Sequence, residues 1–151
     1  AAPAYLQAAG APQQPQDLAR HRRLSWLPGP RDPFVWPLEA GGESFELTGE
    51  LELSGACGVQ FDDPDAAIAA CMAGGGICPG APFAVAHWVR AGALVPVLAH
   101  WSFAARPIHI VYPSNKHLSA RVRCFVDWAL ELMQNSPSVR MTPWELAQGV
   151  E

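Results

Sequence analysis

Fifteen prolines and thirteen glycines interrupt this 151-residue chain so often that no apolar run in it is long. Proline removes a backbone donor and glycine favours turns, so each interruption ends a ladder or a helix. The chain is therefore restricted to short strands and short helices. No run reaches the ~18 consecutive apolar residues that a membrane-spanning helix needs, so no membrane segment is expected. Between the breaks half the residues are hydrophobic and only 16% are charged, a composition that can bury a core and is unlike that of a disordered chain. The length suits about one domain on the usual scale of ~100–200 residues. A net charge of −4 argues against a nucleic-acid-binding surface within this segment.

The punctuation reads as alternating elements. A short helix is expected over Pro3–Ala9, stopped by Gly10, and another from Pro15 into Arg20–Arg23, whose charges read as a solvated helix end. Leu24–Leu27 suits a buried strand, closed by Pro28-Gly29-Pro30. Phe34–Leu38 and Ser44–Leu53 alternate apolar and polar residues around Ala40-Gly41-Gly42, which predicts a hairpin with one wet face. Asp62-Asp63-Pro64-Asp65 marks a helix start, and the small residues that follow run to Ala73 before Gly74-Gly75-Gly76. Ile77-Cys78 reads as a short strand, Pro82–Ala91 as a helix, Leu94–Leu98 as a strand and Pro107–Pro113 as the clearest strand of all. Ser119 then caps a helix to Asn135 whose apolar residues Val122, Phe125, Val126, Ala129, Leu132 and Met133 share one face, and Thr142-Pro143-Trp144-Glu145 matches a capping box. Strands alternating with helices predict an α/β domain with a mostly parallel sheet.

Little in the chain is chemically reactive by pattern. Cys57, Cys71, Cys78 and Cys124 are widely spread with no C-x-x-C pair, and His109 and His117 are too far apart for a structural zinc pattern, so neither metal nor cofactor is expected. Cys71 and Cys124 read as small core residues, whereas Cys78 ends a strand beside a Pro/Gly loop. Asp62, Asp63 and Asp65 are explained by the helix start. Gly74–Gly76 follows a helix instead of opening one, so it is not a phosphate-binding fingerprint, and no nucleophile elbow, P-loop or H-E-x-x-H occurs. The residues alone thus lead to an α/β domain with a ligand-type crevice, reduced thiols and no catalytic constellation. No secretory signal opens the segment, so a cytoplasmic protein is expected.

Several strings, in this order, resemble one family. Pro3-Ala4-Tyr5-Leu6 followed by Pro15-Gln16-Asp17-Leu18 and His21 resembles the "PAYL … P-x-DL-x-x-H" signature of the effector-binding domain of LysR-type transcriptional regulators. Asp62-Asp63 through Ala73-Gly74-Gly75-Gly76-Ile77 is similar to that family's "ND … AA-x-AGxGI". Ala91–Leu98 with Trp101 resembles "SGxLVPVL … W", and Pro107–Arg123 resembles "PIHxVYPxxxHLSxxVR". The resemblance spans about residues 1–134.

It implies a lobe of the type 2 periplasmic-binding-protein-like clamshell, with a Rossmann-like mixed sheet flanked by helices. Residues 1–106 would form the second subdomain, 107–136 the return strand and helix of the first, and 137–151 a tail. The clamshell would be incomplete, since the rest of the first subdomain and the DNA-binding domain lie outside the segment. The implied function is non-enzymatic: a small-molecule effector binds between the subdomains and controls DNA binding by the full-length, self-associating protein. Site residues would be Trp26, Pro28, Gly29, Pro30 and Arg31 after one strand, Phe61 and Asp62 before a helix, Cys78 after another strand, and Ile108, His109 and Ile110 at the crossing. Relatives often carry Ser or Thr where this chain has Leu27–Arg31, so a carboxylate effector is less expected; Arg31 either pairs with an anionic ligand or is a loop charge. The rival readings are a solute-binding protein of the same clamshell fold, and a small enzyme using Cys78 or the aspartates.

Overall fold

Two small sheets, one parallel and one antiparallel, organise the chain. The computed structural model describes residues 1–26, 35–48, 58–103, 109–112 and 119–149. Strand β1 (Leu24–Trp26) pairs in parallel with β4 (Val59–Phe61), and Ile77 adds a single parallel bridge to Arg23 on the other side. Strands β2 (Val35–Ala40) and β3 (Glu43–Thr48) form an antiparallel hairpin through Gly41 and Gly42, and β5 (Ser102–Phe103) joins the free edge of β2. The sheet system is therefore mixed, with the antiparallel part at least as large as the parallel part that strand–helix alternation predicts.

The hairpin follows its sequence pattern. Trp36, Leu38 and Leu47 are buried while Glu39 and Glu46 are exposed, as a period of two requires. Its inner face packs with Tyr5 of helix α1 (Pro3–Ala9), Leu18 of the 3-10 turn Pro15–Arg20, and Ile77. Helix α2 (Pro64–Met72) opens as the acidic cluster predicts: the Asp63 carboxylate accepts from the N–H groups of Asp65 and Ala66, and Pro64 occupies the first turn. Ala67, Ile68 and Cys71 bury one side of α2 against β1 and β4, forming with Leu24 and Leu94 a second core to which Val85 and Val89 of helix α3 (Pro82–Arg90) add. Helix α4 (Ala120–Asn135) is capped by the Ser119 hydroxyl, and the short α5 (Pro137–Arg140) and α6 (Pro143–Gln148) fold back onto α3.

Several expectations are corrected. Leu94–Leu98 is not a strand: Val95 exchanges backbone hydrogen bonds with Ala1, Pro96 has no N–H to continue the pairing, and Leu98 has φ +53°. Ile77-Cys78 contributes one bridge and no strand. His109–Tyr112 carries no strand either; it is exposed, with Val111 90% accessible, and joins no sheet among the described residues. The helix expected into Arg23 stops at Arg20, where the chain turns extended. That change buries alternate members of the basic run: Arg20 and Arg22 face solvent, His21 and Arg23 do not. His21 Nδ1 lies 3.2 Å from the Tyr5 hydroxyl, which also accepts the Arg22 N–H at 2.9 Å, and burial holds the imidazole pKa below its ordinary value. Cys124, expected in a core, is exposed on α4, a helix with no buried residue. Cys57 and the Gly49–Leu53 half of the predicted second hairpin strand lie outside the described residues.

Candidate functional site

Parallel strands present ligands at their carboxyl ends, where backbone groups run out of ladder partners and connections diverge. Here β1 and β4 end side by side with Trp26 directly opposite Phe61. Phe61 is half-buried against the Leu24–Ile68–Cys71–Leu94 core, and Cys78, one residue beyond the Ile77 bridge, packs on that same core. Trp26 remains 40% exposed at the rim. The structure thus pairs Trp26 with Phe61 and sets Phe61 and Cys78 on one core, while Asp62 is an exposed carboxylate just before the Asp63 cap. His109 and Ile110 are exposed and share neither the strand pairing nor the core contacts of this group. Pro28, Gly29, Pro30, Arg31 and Ile108 lie outside the described residues.

Cys78 is a poor nucleophile in this setting. Burial, reinforced by the neighbouring Cys71, pushes its pKa up to about 12, and its thiol donates to the Pro79 carbonyl oxygen at 3.2 Å. Reactivity follows the thiolate, so a rise of this size depletes the reactive form by orders of magnitude. Alkylation with iodoacetamide near neutral pH, followed by peptide mass spectrometry, is expected to modify exposed Cys124 first and Cys78 at least about a hundredfold more slowly. Equal rates would overturn this assignment. Among the described residues no group of three His, Cys, Asp or Glu side chains is placed to hold a metal ion, and no helix is long and apolar enough to cross a membrane.

A second feature was not foreseen from the sequence. Between the hairpin sheet and α3 lies a cavity of about 140 Å³, walled by apolar side chains of β2, α3, the 94–98 segment and β5, with Pro143 and Leu146 of α6 adding to its lining. Of the expected site residues only Cys78 lines it.

Comparison with known proteins separates the regulator reading from the solute-binding one. Residues 1–134 match the family model described as the LysR substrate binding domain. The chain belongs to the LysR-type substrate-binding domain family. It is 54% identical over 148 residues to an HTH-type transcriptional repressor of Pseudomonas aeruginosa, covering 97% of this chain and 45% of that protein. It is 29% identical to the HTH-type transcriptional regulator CrgA of Neisseria meningitidis, covering 90% of this chain and 43% of that one. The regulatory domain of AphB from Vibrio vulnificus superposes with a TM-score of 0.66 at 26% identity, over 87% of this chain and 62% of that chain. Full-length AphB, the virulence activator of Vibrio cholerae, gives 0.67 at 25% identity, over 87% and 42%. This LysR-type domain therefore has the fold of the regulatory lobe, type 2 periplasmic-binding-like, and it spans less than half the length of the Pseudomonas and Neisseria relatives. Those relatives are transcriptional regulators, not solute-binding proteins.

Within the LysR-type domain Trp26, Phe61 and Cys78 were named through the family resemblance, and the strand Val59–Phe61 was not among the expected elements. The cavity was not foreseen, since its wall draws on six or more separate segments. The sequence signal for α6, which contributes to that wall, is the Thr142–Glu145 capping box: Thr142 accepts the Glu145 N–H, and Glu145 in turn accepts from Thr142 N–H at 2.8 Å.

Proposed function

We propose that this chain is the effector-sensing part of a LysR-type transcriptional regulator, holding a small metabolite at the crevice formed by the carboxyl ends of β1 and β4. The in-register pair Trp26–Phe61, in which Phe61 packs on the same core as Cys78, is the observation that carries the reading. Aromatic walls supply apolar contact area, and the Pro28–Arg31 segment that follows β1 would complete the rim, with Arg31 facing an anionic group of the ligand. Residues 1–106 form the second subdomain in this reading. The segment 107–136 returns to the first subdomain, with Ile108, His109 and Ile110 at the crossing; the exposed apolar side chains of α4 support that assignment, because a helix with such a face needs a partner.

The proposed chemistry is reversible capture, with no covalent step and no cofactor. Effector binding shifts a clamshell equilibrium, which requires a differential affinity of only about 1–3 kcal/mol between two conformations. The full-length oligomer, acting in the cytoplasm, then changes how its N-terminal domain engages DNA. Isothermal titration of the intact regulator against candidate metabolites tests the site. Trp26→Ala combined with Phe61→Ala is expected to weaken effector binding at least about tenfold, in line with the loss of two anchoring rings. An affinity unchanged by both substitutions sinks the assignment.

A further inference from the structure

The basic run after the 3-10 turn hides one titratable ring. Because the chain turns extended at His21, its imidazole points inward and is only 6% exposed, although Arg20, Arg22 and Arg23 lie within two residues of it. Its Nδ1 is 3.2 Å from the Tyr5 hydroxyl, and the two rings stand tilted with centroids 5.9 Å apart. Donors and acceptors fix the roles. The Tyr5 oxygen already accepts the Arg22 N–H at 2.9 Å, and its own buried proton needs an acceptor, which Nδ1 supplies; the imidazole is therefore neutral, with its proton on Nε2. The Tyr5 ring also lies under the Arg22 guanidinium at 5.6 Å, and that guanidinium donates to the Gly74 carbonyl oxygen at 3.1 Å. Tyr5 thus ties α1 to the extended 21–23 segment and, through Arg22, to the end of α2.

We infer that His21 is a proton-sensitive catch: neutral, it holds Tyr5 and with it α1 against the 21–23 segment, and protonated, it lets that junction open. A proton on Nδ1 turns the acceptor into a donor. The Tyr5 oxygen then faces two N–H groups while its own proton loses its acceptor. The new charge is also poorly placed. On its own segment it meets Arg20, Arg22 and Arg23, and from the 3-10 turn it meets Asp17, whose carboxylate is already taken by Arg20 at 2.6 Å and by the Gln13 and Gln14 N–H groups. Among the described residues α1 offers only Tyr5 as a titratable group, the 74–77 segment has no ionisable side chain, and Glu39, Glu43 and Glu46 of the hairpin are exposed to solvent. Burial accordingly holds the imidazole below its ordinary value of 6.5. The open form titrates at that ordinary value, so the closed form is fully favoured above it and loses ground as pH falls from there toward the lowered value. This catch is independent of the strand-end crevice, and either can fail without the other.

Amide hydrogen exchange of the 151-residue chain at about pH 7.5 and pH 5.5, each rate referred to its intrinsic value, tests the inference. Protection at Leu6 in α1 and at Arg22, whose N–H is held by Tyr5, is expected to fall roughly threefold to tenfold relative to the amides of α2; tenfold is about the most that one proton taken up near 6.5 gives over this range. His21→Asn keeps an acceptor oxygen where Nδ1 stands and does not titrate, so the same ratio is expected to be unchanged by pH in that variant. Nitrogen-15 NMR of the unmodified chain supplies a second reading, with His21 expected as the Nε2–H tautomer and titrating below its ordinary value. Should His21→Asn not fold, that reading and the exchange of the unmodified chain decide the matter. A protection ratio indifferent to pH, a pH dependence that survives in His21→Asn, or a His21 that carries its proton on Nδ1 at neutral pH would each overturn the inference.

Discussion

Replacing Gly76 with alanine is expected to cost about 3–5 kcal/mol of stability, a large fraction of the ~5–15 kcal/mol that holds a domain together. A Cβ at this buried position would fall well inside contact distance of the Arg22 carbonyl oxygen, 2.9 Å from the carbonyl carbon and 3.1 Å from the Arg22 Cβ. The obstructing atoms are mainly backbone and cannot rotate away. They belong to the bridge itself, since Ile77 N–H donates to Arg22 O and Leu24 N–H donates to Ile77 O, both at 2.8 Å. Making room for the methyl separates these segments and leaves buried backbone groups without partners, each worth about 1–3 kcal/mol. Gly74 supplies the control. Its φ is +80° but nothing lies within 4 Å of a Cβ there, so Gly74→Ala carries only the left-handed backbone penalty of about 1–2 kcal/mol. Urea denaturation of both variants separates the two costs, and equal losses would show that the close approach at Gly76 does not matter. Because Cys78 follows the Ile77 bridge directly, effector binding at the crevice should fall with stability in the Gly76 variant.

The contrast between those two glycines illustrates what the sequence could and could not tell. A left-handed stop after α2 was legible at Gly74, because helix ends obey a local rule. The close approach at Gly76 depends on Arg22, more than fifty positions away, and no local rule reaches it. The hairpin was readable for the same reason as the stop: Trp36, Leu38 and Leu47 alternate with glutamates around a two-glycine turn. Leu94–Leu98 looked no less like a strand, yet the Val95 N–H pairs with Ala1 and Pro96 has none to offer, a pairing visible only once the chain has closed on itself. The basic run 20–23 failed in another way. Charge suggested solvent, but the chain becomes extended at His21, and a period of two then sends His21 and Arg23 inward. At the candidate site, Trp26, Phe61 and Cys78 were singled out through the family resemblance, whereas the wall of the apolar cavity required the three-dimensional meeting of hairpin, α3 and tail.

Charging the apolar face of α4 should reveal what that helix is for. Phe125 is 57% exposed, Leu132 49% and Met133 44%, values typical of a surface and not of residues spaced for a core. The three lie on one face by helical spacing, and among the described residues α4 packs only lightly, against α5. If 107–136 belongs to the first subdomain, this face meets that subdomain in the intact regulator and is uncovered in the isolated 151-residue chain. Exposed faces of this kind drive association. Moving three half-exposed side chains out of water contributes roughly 1 kcal/mol each, so about 3 kcal/mol of self-association should depend on them. The triple variant Phe125→Glu, Leu132→Glu and Met133→Glu is therefore expected to weaken self-association of the isolated chain by about a hundredfold in sedimentation equilibrium, since each 1.4 kcal/mol is a factor of ten. Its own fold should survive, because α4 contributes no buried residue to either core. In the intact regulator the same three substitutions should instead destabilise the protein, because there the charges would be forced against the first subdomain. An isolated chain whose association is indifferent to the substitutions, together with an intact regulator that tolerates them, would show that α4 has no partner in the first subdomain, and the proposed division at residue 107 would fall with it.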